Sequence, residues 1–229
     1  MSAHARSTRP RAELRLAWAL AAWIVLAASL LLILQTASYL SFDPRFVFLL
    51  ERPEVTTDRV WSACFYLHVV GGIVCLATAP FLLWNGLRGG RTGLHRLVGR
   101  VHAIAALGWV GPTGLYMAAF AKGGASGQLA FALLGTWFVA TSALGVVAIR
   151  RGDLRAHVAW MVRSYALILS ALSFRARHLG MHAFGIDERT NYVASIWASL
   201  ALAIVSGELL GRRLGPHAVE PFIVQAATS

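Results

Sequence analysis

Residues 60–87 read VWSACFYLHVVGGIVCLATAPFLLWNGL, 28 positions in a row without a Lys, Arg, Asp or Glu. A helix rises about 1.5 Å per residue and a bilayer core is about 30 Å thick, so roughly 20 such residues cross it. Two further runs, Leu16–Phe42 and Gly123–Ile149, lack those four residue types over 27 positions each. The 229-residue chain is 57% hydrophobic and 14% charged, against about 45–50% and about 25% for a soluble domain. That ratio excludes soluble, secreted and disordered classes. It predicts an all-α fold, a polytopic membrane helix bundle in contact with a lipid bilayer.

Six transmembrane helices are predicted, at about 16–40, 60–86, 101–121, 126–149, 158–184 and 191–210. They form one transmembrane domain over 16–211, between a cytoplasmic N-terminal segment (1–15) and a cytoplasmic tail (212–229). With the N-terminus inside, the cytoplasmic pieces hold 14 basic residues, among them Arg96, Arg100, Arg155 and Arg163. The opposite side holds five, together with six acids. This asymmetry places both termini in the cytoplasm. It also accounts for the net charge of +11: no basic tract with interleaved aromatics occurs, so nucleic acid is not an expected partner. The first span is longer than the 7–15 residues of a signal-peptide core and is read as an uncleaved helix. In the outside stretch 43–59, Asp43-Pro44 and Arg52-Pro53 are expected to break any helix. Cys64 and Cys75, the only cysteines, lie about 16 Å apart on one helix, too far to bond to each other.

The informative residues are ionisable groups within the spans, which cost at least about 2.5–3.5 kcal/mol each on insertion scales and so face a bundle interior. His157, Met161, Ser164, Ile168, Ala171, Arg175, His178 and His182 recur at alternating steps of four and three, one helical stripe on the fifth span. On the second span Cys64, His68, Gly71 and Cys75 form a companion stripe. Counted from the span ends, His68 shares a level with Arg175 and His178 in the outer leaflet. His102 and His157, opening the third and fifth spans, share a level in the inner one.

Three readings compete for these levels. In the first, each His simply hydrogen-bonds a neighbouring helix. In the second, paired imidazoles hold haem b, with Arg96, Arg100, Arg155 and Arg163 pairing with its propionates. In the third, Cys64 and His68 join His178 or His182 at a copper or zinc site, although no CxxC or HExxH motif supports a metal. Two loops add a pattern. Arg91-Thr92-Gly93-Leu94-His95-Arg96-Leu97-Val98-Gly99-Arg100 and Arg151-Gly152-Asp153-Leu154-Arg155-Ala156-His157 each place Gly, His and Arg before a helix enters the bilayer. Free N–H groups beside Arg attract anions such as a haem propionate, a lipid headgroup or an anionic metabolite.

His68, the H-R-x-x-G-R loop (His95 to Arg100), Met117-Ala118, Trp137 and H-x-x-W-M-x-R-S-Y-A (His157 to Ala166) together resemble the bacterial membrane family called domain of unknown function 2306, over roughly residues 60–185. The family commonly has Arg directly after the second loop His, where this chain has Val158. The resemblance implies a fold and a membrane location but no mechanism. A looser likeness is to cytochrome b561-type bundles, six-helix electron carriers with two haems. His68, His102 and His157 fall on suitable spans for that pattern, whereas the fourth span has no His, so His178 or His182 would have to serve the outer site.

The sequence thus predicts a bacterial inner-membrane protein of uncharacterised role that binds haem b through His102, His157, His68 and His178. It would pass electrons to a membrane redox partner or quinone. The alternative is a non-catalytic transporter or assembly partner with a polar network of His68, Arg175 and His178. No catalytic residue is predicted, because paired carboxylates and a Ser–His–Asp set are missing.

Overall fold

The computed structural model describes residues 9–43, 45–50, 52–87 and 92–217, and every regular element among them is helical. Pro44 and the charged positions Arg6, Glu51, Arg88 and Arg91 lie outside the described residues, as does the tail beyond residue 217. Helix α1 spans Arg9–Ala37 and ends in a 3-10 turn, Ser38–Ser41. Two four-residue helices follow, α2 (Val47–Leu50) and α3 (Pro53–Thr56), before α4 (Arg59–Leu87). Then come α5 (Gly93–Ile104), a π turn (Ala105–Val110) and α6 (Gly111–Ala118). Helices α7 (Gly124–Arg150), α8 (Leu154–Ala183) and α9 (Glu188–His217) complete the bundle.

The helix starts follow from orphan N–H groups that need acceptors. Asp58 Oδ1 accepts from Val60 at 2.7 Å, Thr92 Oγ1 from His95 at 3.2 Å, Asp153 Oδ1 from Ala156 at 2.9 Å and Asp187 Oδ1 from Thr190 at 3.0 Å. These four caps launch α4, α5, α8 and α9. Pro53 stands in the first turn of α3, where its missing N–H is harmless, and the chain breaks before it at Arg52. Pro80 sits inside α4 without ending it. Helix α1 begins seven residues before the expected span and α9 runs past the expected start of the tail to His217.

Five helices are long and apolar enough to cross a bilayer: Trp23–Ser41, Arg59–Gly86, Gly124–Arg150, Leu154–Ala183 and Glu188–Leu214. The third expected span is not one of them. It starts at Gly93 rather than 101 and is interrupted by the π turn. Pro112 has no N–H for the carbonyl of Gly108, and the Gly111 N–H reaches back five residues to Ala106 O. Glycines admit this distortion. A Cβ on Gly71 would come 2.8 Å from Val110 Cγ2, and one on Gly111 would come 2.5 Å from Val139 Cγ2.

The packing is inverted relative to a water-soluble bundle. Ile24, Leu34, Leu129 and Leu209 are more than half exposed, whereas Ser164, Asn191, Ser195 and Ser199 are fully buried. Hydroxyls join helices across the interior, Ser29 to Tyr165 at 2.6 Å and Ser142 to Ser164 at 2.7 Å. Small and hydroxylated residues between helices with apolar side chains outside are what a lipid solvent selects. The central apolar cluster is Cys75, Ala105, Ala106, Phe138, Leu167, Leu200 and Ala203, drawn from α4, the π turn and α7 to α9.

Candidate functional site: the imidazoles of the bundle

Three imidazoles are held in one manner. His68 on α4 places Nδ1 3.1 Å from the Val110 carbonyl and 3.2 Å from Thr113 Oγ1, at the π turn. His157 on α8 places Nδ1 2.8 Å from the Gly145 carbonyl of α7. A carbonyl only accepts, so both Nδ1 atoms donate. His102 on α5 lies 2.8 Å from Thr78 Oγ1, whose own hydroxyl donates to Val74 O at 2.7 Å, so here too Nδ1 is the donor. All three rings therefore carry hydrogen on Nδ1 and a lone pair on Nε2. Glycines make the room: a Cβ on Gly114 would stand 3.0 Å from His68 Cε1, and one on Gly145 would stand 2.6 Å from Met161 Sδ.

His178 is held differently. Its Nε2 lies 3.5 Å from Glu188 Oε1, its ring stacks on Phe174 at 5.7 Å, and its Nδ1 is buried with no partner. No hydrogen bond or ion pair among the described residues joins His68 to Arg175 or His178, so the expected outer network is not assembled. Arg175 is exposed and turns Nη1 to the Ala171 carbonyl of its own helix at 3.2 Å. The α8 stripe is thus buried at Ser164 and open at Arg175 and His182. Among the described residues no three His, Cys, Asp or Glu side chains gather to hold a metal ion.

At the end that carries the α4–α5 and α7–α8 connections, the expected levels shift. Span starts at 101 and 158 made His102 and His157 level, but Thr92 starts α5 at Gly93 and Asp153 starts α8 at Leu154. His157 is then three residues into α8 and His95 two residues into α5, while His102 lies about 10 Å deeper than His95 along the helix. His95 and His157 are within electrostatic reach of each other. His95 Nδ1 is buried without a hydrogen-bond partner, which costs on the order of 1–3 kcal/mol.

The arginines divide. Arg163 binds Glu208 of α9 at 2.7 Å, lies over the Trp160 ring at 4.7 Å, and shares Glu208 with Arg212. Arg96, Arg100 and Arg155 are exposed, with no ion pair among the described residues. Sequence reasoning counted Arg52 only as an outside charge. In the fold it is 6% exposed, donates to the Phe120 carbonyl and lies 5.9 Å and 5.8 Å from the Phe48 and Trp61 rings. The aromatic-rich sequence around Arg52-Pro53 was the available signal.

Membrane-length helices with apolar exteriors and hydroxyl-lined contacts define an integral membrane protein of several spans. Within that class, the chain belongs to the family described as "Predicted membrane protein (DUF2306)", whose model matches residues 65–211. No curated protein and no solved structure matches the chain, so the likeness to cytochrome b561-type bundles gains no support.

Proposed function

We propose that the protein crosses a bacterial inner membrane six times with both termini in the cytoplasm, holds b-type haem and exchanges electrons with a membrane redox partner or quinone. Five crossings are the long helices. The sixth is the composite from Gly93 to Ala118, whose 26 residues reach about 39 Å at helical rise. The excess of Arg on the even-numbered connections orients the bundle.

The observation that carries the haem reading is the common tautomer of His68, His102 and His157. An axial imidazole needs a free Nε2 lone pair, and an Nδ1 hydrogen bond to the protein both fixes the ring and strengthens it as a donor. All three rings meet that requirement, and His178, with Nε2 turned to Glu188, meets it least. Haem, when bound, supplies a one-electron couple. The chain's own part is to aim the Nε2 atoms, exclude water with the apolar cluster around Cys75 and Phe138, and offer Arg96, Arg100 and Arg155 to the propionates. Arg163 is engaged with Glu208 and is a helix-joining residue first.

A reduced-minus-oxidised visible spectrum of protein purified after haem-replete expression tests this. Soret and α bands at stoichiometric haem content are expected, and their absence overturns the proposal.

A further inference from the structure

Two indoles line a groove halfway along the bundle, and only one of them has its N–H bonded. The groove, of about 250 Å³, lies between α7 and α9 and is walled by Leu133, Trp137, Trp197, Leu200, Ala201 and Ile204. Trp197 Nε1 donates to Ser126 Oγ at 3.0 Å. Trp137 is 45% exposed, and its Nε1 has no partner among the described residues. Resting on the quinone partner of the proposed function, we infer that this groove holds the dione ring of an isoprenoid quinone, one ring carbonyl accepting from Trp137 Nε1–H.

The depth of the groove selects a hydrocarbon-soluble ligand. Trp137 stands thirteen residues from each end of α7, about 20 Å from either at helical rise. Indoles gather at the two membrane faces, where the ring is buried and the N–H stays wet. At mid-span an outward indole leaves its N–H in hydrocarbon, a cost that only an acceptor relieves. An acyl chain would fill the space but offers no acceptor. A quinone carries carbonyl acceptors on a flat ring, which lies well against an indole face. At roughly 30 Å³ per water-sized group the groove takes about eight such groups, as many as the heavy atoms of a six-membered dione ring. Its floor joins the bundle interior: Leu200 belongs to the central cluster with Phe138, Ala105 and Ala106, and Trp197 packs against that cluster. A ring in the groove therefore borders the packed cluster that includes Ala105, three residues along from His102.

The test is binding of a radiolabelled, decyl-tailed benzoquinone to the purified full-length chain in lipid nanodiscs, measured against empty nanodiscs. The wild type is expected to bind it saturably, above simple partition into lipid. Trp137→Phe keeps a ring but deletes the donor, and should weaken binding about three- to tenfold, the worth of one hydrogen bond. Ala201→Phe fills the groove from an exposed position and should abolish binding. Val205→Phe, one turn along α9 and outside the groove, should bind like the wild type. No saturable binding by the wild type, or wild-type binding by both Trp137→Phe and Ala201→Phe, overturns the inference. Loss in Ala201→Phe without change in Trp137→Phe assigns the groove to an apolar chain, and a dimer broken by Ala201→Phe assigns it to a second copy. Either result overturns the choice of ligand. The reduced-minus-oxidised spectrum is read separately on the same sample. Quinone binding without haem bands sustains the groove and sinks the haem reading, whereas haem bands without quinone binding do the reverse.

Discussion

The two ends of the bundle hold their polar groups in different company. At the proposed outer end Arg52 lies with Glu54, the Phe120 carbonyl and the Phe48 and Trp61 rings, and His178 Nε2 lies 3.5 Å from Glu188 while its Nδ1 has no partner. At the proposed inner end Arg163 and Arg212 share Glu208, the imidazole of His157 is oriented by a backbone carbonyl and His95 Nδ1 has no partner. His68 and His102 extend the inner pattern into the middle of the bundle. Both ends leave an imidazole nitrogen unpaired, at a cost on the order of 1–3 kcal/mol each; the difference is that His68, His102 and His157 are aimed from Nδ1 by groups on neighbouring helices, whereas His178 is not.

The largest effect should come from breaking the inner orientation. Gly145→Val puts a side chain where a Cβ already comes 2.6 Å from Met161 Sδ and 3.5 Å from Trp160 Cβ. Helices α7 and α8 must part, and His157 loses the carbonyl that fixes its tautomer. Overpacking of this kind costs about 1–3 kcal/mol, to be read as a lower midpoint of thermal unfolding in detergent. Haem content should fall with it. A variant that melts lower yet keeps its full spectrum would show that Gly145 serves packing alone.

The outer end gives the contrasting case. Arg52→Ala removes a charge-assisted bond and two ring contacts from a residue that is 6% exposed, a loss of about 2 kcal/mol. Arg52→Lys should recover only part of it, because a point charge cannot match the planar guanidinium against both rings. Both variants are expected to melt lower while leaving amide hydrogen exchange over residues 93–96 at the wild-type rate. Faster exchange there would mean the two ends are coupled through α4 and would dissolve the contrast.

How far the sequence revealed this arrangement depends on the range of the force involved. The long spans were legible because lipid acts on every residue of a run such as 60–87, and the Arg asymmetry is likewise summed over whole loops. The start of α5 was missed because hydropathy placed it after Arg96 and Arg100, whereas a single hydroxyl, Thr92 Oγ1, decides it eight residues earlier. Thr92 standing three residues before His95 was a readable capping signal. The π turn follows from Pro112 together with Gly71 and Gly111 on opposing surfaces, a tertiary circumstance that no local pattern contains. Arg163 with Glu208 was invisible for the same reason: the partners are 45 residues apart, whereas Arg212, the other partner of Glu208, stands one helical turn away. Among the site residues, the Nδ1 bonds of His68, His102 and His157 all cross between helices, so the tautomers could not be read from the chain.

The smallest expected effect is also the most discriminating. Thr92→Ala deletes the cap of α5 and costs about 1 kcal/mol, barely moving the unfolding midpoint of the whole bundle. Its local consequence is larger, because the released N–H belongs to His95 itself. The first turn of α5 should fray, seen as faster amide hydrogen exchange over residues 93–96. Asp187→Ala, which removes the corresponding cap of α9 at the other end of the bundle, serves as the control and should leave that exchange unchanged. If Thr92→Ala does not alter the exchange, the α5 start is held by its packing near Gly86 instead of by its cap. The depth of His95 would then be a property of the α4–α5 hairpin as a whole.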